Sequence, residues 1–419
     1  MILTLQNPQY ATRIAAPTSK SVAHRLLIAA ALANEETTVL LRTVCDDIEK
    51  TVGCLQALGA EITPTEGGFR VRPIRQGAIY PNALLDCGES GSTLRFLLPV
   101  VAALGTGATF VRRGRLPSRP LAPLDALLTA HGASLTENGD MLTVSGGIDA
   151  GQYAIAANVS SQYISGLLFA LSLLDTPSML TLTGPVESAP YIDLTCDALS
   201  IFGAAPTVSE AGRCFFVRGA TVAPLTSPHT VKAEGDFSGA AFPLALGAIG
   251  RHAVTVSGLN PQTKQGDAAI LSLLTRFGAA VSVTENAVTV SPAPLSGIDI
   301  DATDIPDLVP ILAIVGAAAA GETRITGAAR LRLKESDRLD TTAAMLHAVG
   351  ADATVLADGI TIRGGKPLTG GIVDAAGDHR IAMSAAALSL LTDGALTLTG
   401  AEAVSKSYPT FFEEVFPIP

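Results

Sequence analysis

Five times along this chain a glycine closes a helix-like run and is followed by an alternation of apolar and polar residues: LQALGAEIT, LLTAHGASLT, ALSIFGAAPT, LLTRFGAAVS and MLHAVGADAT. The glycines are Gly59, Gly132, Gly203, Gly278 and Gly350, and they stand 73, 71, 75 and 72 residues apart. Glycine there suits a left-handed cap after an amphipathic helix. The alternation that follows, as in Met141 to Ser145 and Ala287 to Ser291, is that of a half-buried hairpin strand. A period this constant restricts the fold to a series of copies of one supersecondary unit.

A second element recurs between the first. It is a helix rich in small residues with a capping residue at its head, then a turn, a strand and a charged loop. Its six copies begin at SKSVAHR (19–25), GESGSTLR (88–95), SSQYISG (160–166), DFSGAAF (236–242), DIPDLVP (304–310) and GDHRIAM (377–383). Candidate caps are Ser19, Ser90, Ser160, Asp236, Asp304 and Asp378. Six such helices against five hairpins leave one hairpin to be supplied, and the segment Met1 to Ala15 pairing with the C-terminal region would supply it. Each unit then reads β-α-β-α-β-β. Its helices are apolar on all sides (Ala29 to Leu32, Leu167 to Ala170, Ala317 to Ala320), as expected inside a core. A unit of two helices and one sheet cannot bury these faces alone. The fold class is therefore α/β (α+β), with three units in each of two domains, helices within and sheets partly outside. The chain is expected to cross between domains at Ala16-Pro17-Thr18 and again between Pro224 and Asp236. That divides it into residues 1–16 plus 232–419 and residues 17–231, with a hinge at the crossings.

The charge of −10 over 419 residues argues against non-specific nucleic-acid binding. The cysteines Cys45, Cys54, Cys87, Cys196 and Cys214 show neither a C-x-x-C pair nor a histidine at zinc spacing, so free thiols and no metal are expected. The start MILTLQNPQY lacks a signal-peptide pattern, and the apolar run from Leu308 to Ala320 is too short to span a bilayer and is broken by Pro310 and Gly316. These features predict a cytoplasmic protein without membrane contact, and a monomer.

Cations gather at the same helix starts: Lys20, Arg25, Arg95 and Arg380, joined by Arg112, Arg113, Arg115, Arg119, Lys334, Arg338 and Lys406 from the charged loops. Helix N-termini favour anions, and arginine forks match phosphate and carboxylate. If the helix starts face one cleft, an acidic protein holds a strongly cationic site for a small, multiply anionic substrate. The run RLRLKESDRL (330–339) packs Arg330, Arg332, Lys334 and Arg338 around Glu335 and Asp337. A helix from Glu335 onward would place Lys334, Glu335 and Arg338 on one face. Asp307 and Glu335 are the candidates for acid–base work; the structural alternatives are a helix-terminal role for Asp307 and an ion pair for Glu335.

The runs SKSVAHR, SGSTLR, LPSRPLAPL, SSQYISGLL, IPDLVP, LKESDRL, GDHRIAM and SKSYPTFF, in this order, resemble the 5-enolpyruvylshikimate-3-phosphate synthase family over essentially the whole chain. The resemblance implies a two-domain inside-out α/β barrel closing over substrate. It implies transfer of the enolpyruvyl group of phosphoenolpyruvate to the 5-hydroxyl of shikimate 3-phosphate, without a cofactor. Carried over residue by residue, it makes Lys20, Ser21, Arg25, Ser160, Ser161, Gln162, Ser188, Asp307 and Lys334 contacts to shikimate 3-phosphate. Lys20, Gly91, Arg119, Gln162, Arg338, Arg380 and Lys406 become contacts to phosphoenolpyruvate, with Asp307, Glu335 and Lys20 catalytic. His379 is expected to support the site by hydrogen bonding. Two departures stand out: Glu89-Ser90 precedes Gly91 where many members have Asn then Ala or Ser, and Arg330 replaces an Asn. The sister transferase acting on UDP-N-acetylglucosamine usually has a cysteine in the loop that here reads RGRLPSRPLAP, and a non-catalytic anion-binding protein would have no use for Asp307 and Glu335.

Overall fold

The computed structural model describes residues 1–74, 81–209 and 211–417. The chain divides into two compact units: Lys20–Ala233 is one continuous stretch, and Met1–Ser19 joins Glu234–Pro419 to make the other. The crossings therefore fall after Ser19 and after Ala233.

Among the described residues there are six open sheets, three in each unit, with no closed barrel. Five have four strands in a common order, shown by Gln152–Ala156, Ser178–Thr183, Cys214–Val217 and Thr207–Val208. The first two strands are parallel, the rest antiparallel. A parallel pair needs a crossover connection, and the helix Ser161–Leu173 provides it. The amphipathic helix Ala189–Ile201 then leads into the hairpin. This is the unit the repeat predicted. The five repeat glycines have φ of 109°, 110°, 77°, 115° and 81°, the left-handed region they were expected to supply.

The helices Lys20–Leu32, Gly91–Leu104 and Ser161–Leu173 line the core of one unit; Phe237–Ile249, Val309–Ala318 and His379–Leu388 line that of the other. Every residue from Phe237 to Ala248 is buried, so this helix has no solvent face. The outer helices keep one apolar stripe: Ile270, Leu273, Leu274 and Phe277 are the buried residues of Ile270–Phe277. Small residues let the inner helices approach closely. A Cβ on Gly166 would lie 2.3 Å from the peptide oxygen of Arg95 on the neighbouring helix.

The N-terminal segment divides its pairing. Ile2–Leu5 runs antiparallel to Leu396–Thr399 and completes a three-stranded sheet with Gly371–Asp374, as expected. Arg13–Ala15 instead lies parallel to Val254–Ser257 in another sheet. Asn7 at φ 44°, followed by Pro8, ends the first strand before it can continue. Conversely, Thr230–Lys232 precedes the Phe237 helix in sequence yet pairs with Thr37–Leu40 in the continuous unit. Each crossing segment thus leaves one strand behind in the unit it departs. Beside the first crossing, Ser19 N donates to Glu234 O (2.8 Å) and Asp236 N to Pro17 O (2.8 Å).

Four predicted caps act as such: Ser90, Ser160, Asp236 and Asp378 accept from Thr93, Gln162, Gly239 and Arg380 backbone N–H groups. Asp304 does not, because a short 3-10 turn, Pro306–Leu308, precedes the helix Val309–Ala318 and moves its start four residues on. Ser19 donates its hydroxyl to Gln265 Oε1 (3.1 Å). The helix expected from Glu335 onward starts instead at Arg338, with Asp337 as its cap, and Ala329–Leu333 forms a separate 3-10 turn before it.

Candidate active site

In the unit containing both chain ends, the charged side chains are built around Arg338. Its guanidinium is 1% exposed. Nε and Nη2 donate to the two oxygens of Asp378 (2.7 and 3.2 Å), Nη1 to Asp307 Oδ1 (2.7 Å) and Nη2 also to Glu335 Oε2 (2.8 Å). Three carboxylates thus share one cation. They are brought together by three elements: the turn before the Val309 helix, the loop before the Arg338 helix, and the head of the His379 helix. Asp378 is fully buried, caps the last of these helices through Arg380 N (2.9 Å), and accepts from Ser336 Oγ (3.0 Å). Burial alone would raise its pKa, but the Arg338 fork outweighs this and holds its carboxyl below the ordinary value.

Asp307 has cations on both oxygens. Arg380 Nη2 reaches Oδ2 at 2.9 Å, and Lys334 Nζ lies 3.7 Å from Oδ1. Burial alone would raise its pKa, but Arg380, Lys334 and Arg338 outweigh this and hold it well below the usual carboxylate range. Lys334, 28% exposed, is pulled down to about 8 by burial, with Asp307 opposing and Arg338 assisting. Lys406 Nζ donates to Gly377 O (2.7 Å), just before the same helix head. His379 is buried beside Asp378, with Nδ1 3.9 Å from its Oδ1. Arg330 donates Nη2 to Thr303 O (2.7 Å).

In the continuous unit, most candidates lie at four helix heads, those of Lys20–Leu32, Gly91–Leu104, Ser161–Leu173 and Ala189–Ile201. Lys20, 16% exposed, pairs with Asp47 at 2.8 Å. Arg25, one turn later, is 2% exposed and donates to Ser21 O (2.6 Å), Tyr191 O (2.7 Å), Thr195 Oγ1 (2.7 Å) and Ser165 Oγ (3.1 Å), with its guanidinium over the Phe96 ring. Burial lowers it to about 10, still charged at neutral pH. Arg25 thereby braces the segments that carry Ser21 and Ser188. Ser188 itself is held at φ 56°, an uncommon conformation for a non-glycine residue. Gln162 bridges two helix heads, accepting from Arg95 Nη1 (2.8 Å) and donating to Ser92 Oγ (2.9 Å). The Arg119 guanidinium lies on Gly91, so that a Cβ there would be 2.8 Å from its Nη1. Glu89 is exposed and its carboxyl lies against Gly114, where a Cβ would be 2.5 Å from it, on the Arg113–Arg115 loop.

The structure thus groups Asp307, Lys334, Glu335, Arg338, Arg380 and Lys406 in one unit. Lys20, Ser21, Arg25, Gly91, Arg119, Ser160, Ser161, Gln162 and Ser188 belong to the other. Sequence reasoning missed Asp47, the acid on Lys20. Its place in VCDDIEK reads as an ordinary acidic first turn. It also missed Ser92 and Ser336, which orient Gln162 and Asp378, and Asp267, whose position depends on tertiary packing.

Capped helix heads bearing clustered cations recur in both units, and known proteins share this architecture. The enolpyruvyl transferase NikO from Streptomyces tendae shares the fold at 18% identity, with a TM-score of 0.78 over 99% of this chain and 96% of its own. EPSP synthase from Acinetobacter baumannii does so at 26% identity and a TM-score of 0.81, covering 99% and 97%. The family model for EPSP synthase (3-phosphoshikimate 1-carboxyvinyltransferase) matches residues 6–415. The 3-phosphoshikimate 1-carboxyvinyltransferase of Clostridium kluyveri is 39% identical over 95% of this chain and 92% of its own. That of Halobacterium salinarum is 38% identical over 96% and 95%. The chain belongs to the EPSP synthase family.

Proposed function

We infer that this chain is the enzyme that transfers the enolpyruvyl group of phosphoenolpyruvate to the 5-hydroxyl of shikimate 3-phosphate, releasing phosphate, a step of aromatic amino acid biosynthesis. The observation that carries the residue assignment is the arrangement at Arg338 and Asp307. Two carboxylates with different chemical prospects, Asp307 and Glu335, are held on one arginine beside further cations. A reaction that moves protons onto and off carbon, between two anionic substrates, needs that combination.

Each group then has a role. Lys20, Ser21, Arg25, Ser160, Ser161, Gln162 and Ser188 bind shikimate 3-phosphate, with Asp307 and Lys334 on the ring hydroxyls. Arg119 at Gly91, with Lys20, Gln162, Arg338, Arg380 and Lys406, clamps phosphoenolpyruvate. Exclusion of water and fixed placement of both anions offset the repulsion between them. The chain supplies every group assigned here and acts as a monomer.

Addition comes first. The 5-hydroxyl loses its proton to Asp307, assisted by Lys20, as its oxygen bonds C2 of phosphoenolpyruvate, and Glu335 delivers a proton to the methylene carbon. Elimination reverses the second proton: Glu335 takes one from the new methyl group, the C2–O bond to phosphate breaks, and phosphate departs on the arginines with the proton from the hydroxyl. Asp307 is a weak base while Arg380, Lys334 and Arg338 hold it ionised. The arriving anion draws on the charge of two of these cations and strengthens Asp307 as a base when it is needed. Phosphate release from phosphoenolpyruvate, measured with shikimate 3-phosphate and separately with UDP-N-acetylglucosamine, tests the reading. Release with the first alone is expected; release with the second alone, or with neither from folded protein, refutes it.

A further inference from the structure

Behind Arg380 lies a carboxyl that the transfer itself does not use. Asp267, in the short turn Gly266–Ala269, is 1% exposed. Ser238 Oγ donates to its Oδ2, and among the described residues nothing donates to its buried Oδ1. Ser238 lies in the first turn of the Phe237–Ile249 helix, and its peptide oxygen accepts from Arg380 Nη1 (3.4 Å). One residue therefore links the buried acid to the arginine that also holds Asp307. The charged groups facing Asp267 are Asp307 from the Pro306–Leu308 turn, Arg380 from the His379–Leu388 helix and Asp236 at the head of the Phe237–Ile249 helix.

A buried carboxylate oxygen with no donor is poorly solvated, so the site disfavours the ion. Two further acids beside it act in the same direction. We propose that Asp267 is a positioning residue of the phosphoenolpyruvate clamp: as the neutral acid it anchors Ser238 and leaves the charge of Arg380 to the substrate, and on losing its proton to solvent it competes for that charge and weakens binding. The proposal rests on the reading of Arg380 as part of the clamp. It gives the site a second layer that sets anion affinity without touching the reacting atoms.

Burial, and then Asp307, push the Asp267 carboxyl up to about 7, with Arg380 and the Ser238 hydroxyl opposing and Asp236 adding. The sign follows: neutral below that value, charged above it. Asp267→Asn keeps the volume and a neutral oxygen for Ser238 and cannot ionise. The test is the Kd of phosphoenolpyruvate for the whole chain, titrated calorimetrically from pH 6 to pH 8.5 in parent and Asp267→Asn. Ionisation of the ligand and of Lys334 affects both alike and cancels in the ratio. The parent is expected to bind about tenfold more weakly than Asp267→Asn at pH 8.5, equivalent to about one pKa unit of coupling, with the two converging at pH 6. Asp267→Ala, which loses the anchor on Ser238, should bind more weakly at every pH. A flat ratio between parent and Asp267→Asn, or an Asn variant as weak as the Ala variant throughout, overturns the proposal. Binding is read without turnover, so absence of phosphate release with shikimate 3-phosphate would refute the transferase reading and leave this test intact.

Discussion

Replacing Asp378 separates two things that one carboxylate does. It accepts two bonds from Arg338 and one from Ser336, and it caps the His379–Leu388 helix through Arg380 N. Asp378→Asn keeps the cap, because Asn is among the best N-cap residues, and removes the charge. Asp378→Ala removes both. Deleting one partner of a buried ion pair costs ~3–5 kcal/mol when the other charge is stranded. Arg338 retains Asp307 and Glu335, so the lower end, ~3 kcal/mol, applies to the Asn variant. Loss of the cap adds ~1 kcal/mol, giving about 4 for Ala. Hydrogen exchange of peptides covering residues 379–388, alongside urea unfolding at pH 7, reads this locally in a protein of two units, where a single global transition is not assured. The folded carboxyl lies below its ordinary 3.8, so the charge contribution is present above that pH and fades as pH falls through the folded value. Asn within ~0.5 kcal/mol of the parent would refute the charge argument; Asn and Ala equally destabilised would refute the cap.

Other outcomes follow from the same geometry. Glu335→Gln should cut kcat by about 10²–10⁴-fold with substrate Kd changed far less, and near-normal turnover would remove Glu335 as the proton donor to carbon. Lys334 at about 8 is charged below that pH and neutral above it, so KM for shikimate 3-phosphate should rise through pH 8. Lys334→Arg, which does not titrate, should flatten that limb in steady-state rates; an unchanged limb would assign it to another group. Gly91→Ala places a methyl where Arg119 Nη1 is only 2.8 Å away, so the guanidinium must move and KM for phosphoenolpyruvate should rise about tenfold or more, with kcat less affected. An unchanged KM would show that Arg119 does not hold that substrate.

The repeat was legible because five copies place a left-handed glycine after the outer helix, and only a few residue types tolerate that backbone. The buried helices were legible from their lack of a polar face. What escaped the sequence was set by neighbours distant along the chain. Asp304 failed as a cap because Pro306 starts a 3-10 turn first, and neither it nor Asp307 caps the helix Val309–Ala318. The pairing of Arg13–Ala15 with Val254–Ser257 spans some 240 residues. Of the site, the cations and Asp307, Glu335 and Arg338 stood out as charged residues in a chain with little charge. Asp47 and Asp267 did not, since each resembles an ordinary acid at a helix or turn start until packing places one on Lys20 and the other on Ser238, which links it to Arg380. Glu89 shows the converse: conspicuous in sequence, it lies on Gly114, which has no side chain to keep it away.

The division of the strands also bears on how the chain is made. Lys20–Ala233 is continuous and has all its partners once Thr230–Lys232 has been synthesised. The first nineteen residues cannot pair then: Ile2–Leu5 requires Leu396–Thr399, near the other end. At ~5–20 residues per second a ribosome needs roughly 10–40 s to add the rest. During that interval a nascent chain carries a completed unit flanked by an unpaired N-terminal strand. Loss of residues 1–5 removes the strand Ile2–Leu5 from that three-stranded sheet, and loss of the last five residues removes Val415 and Phe416 from the core of the same unit, so both changes weaken one unit and spare the continuous one.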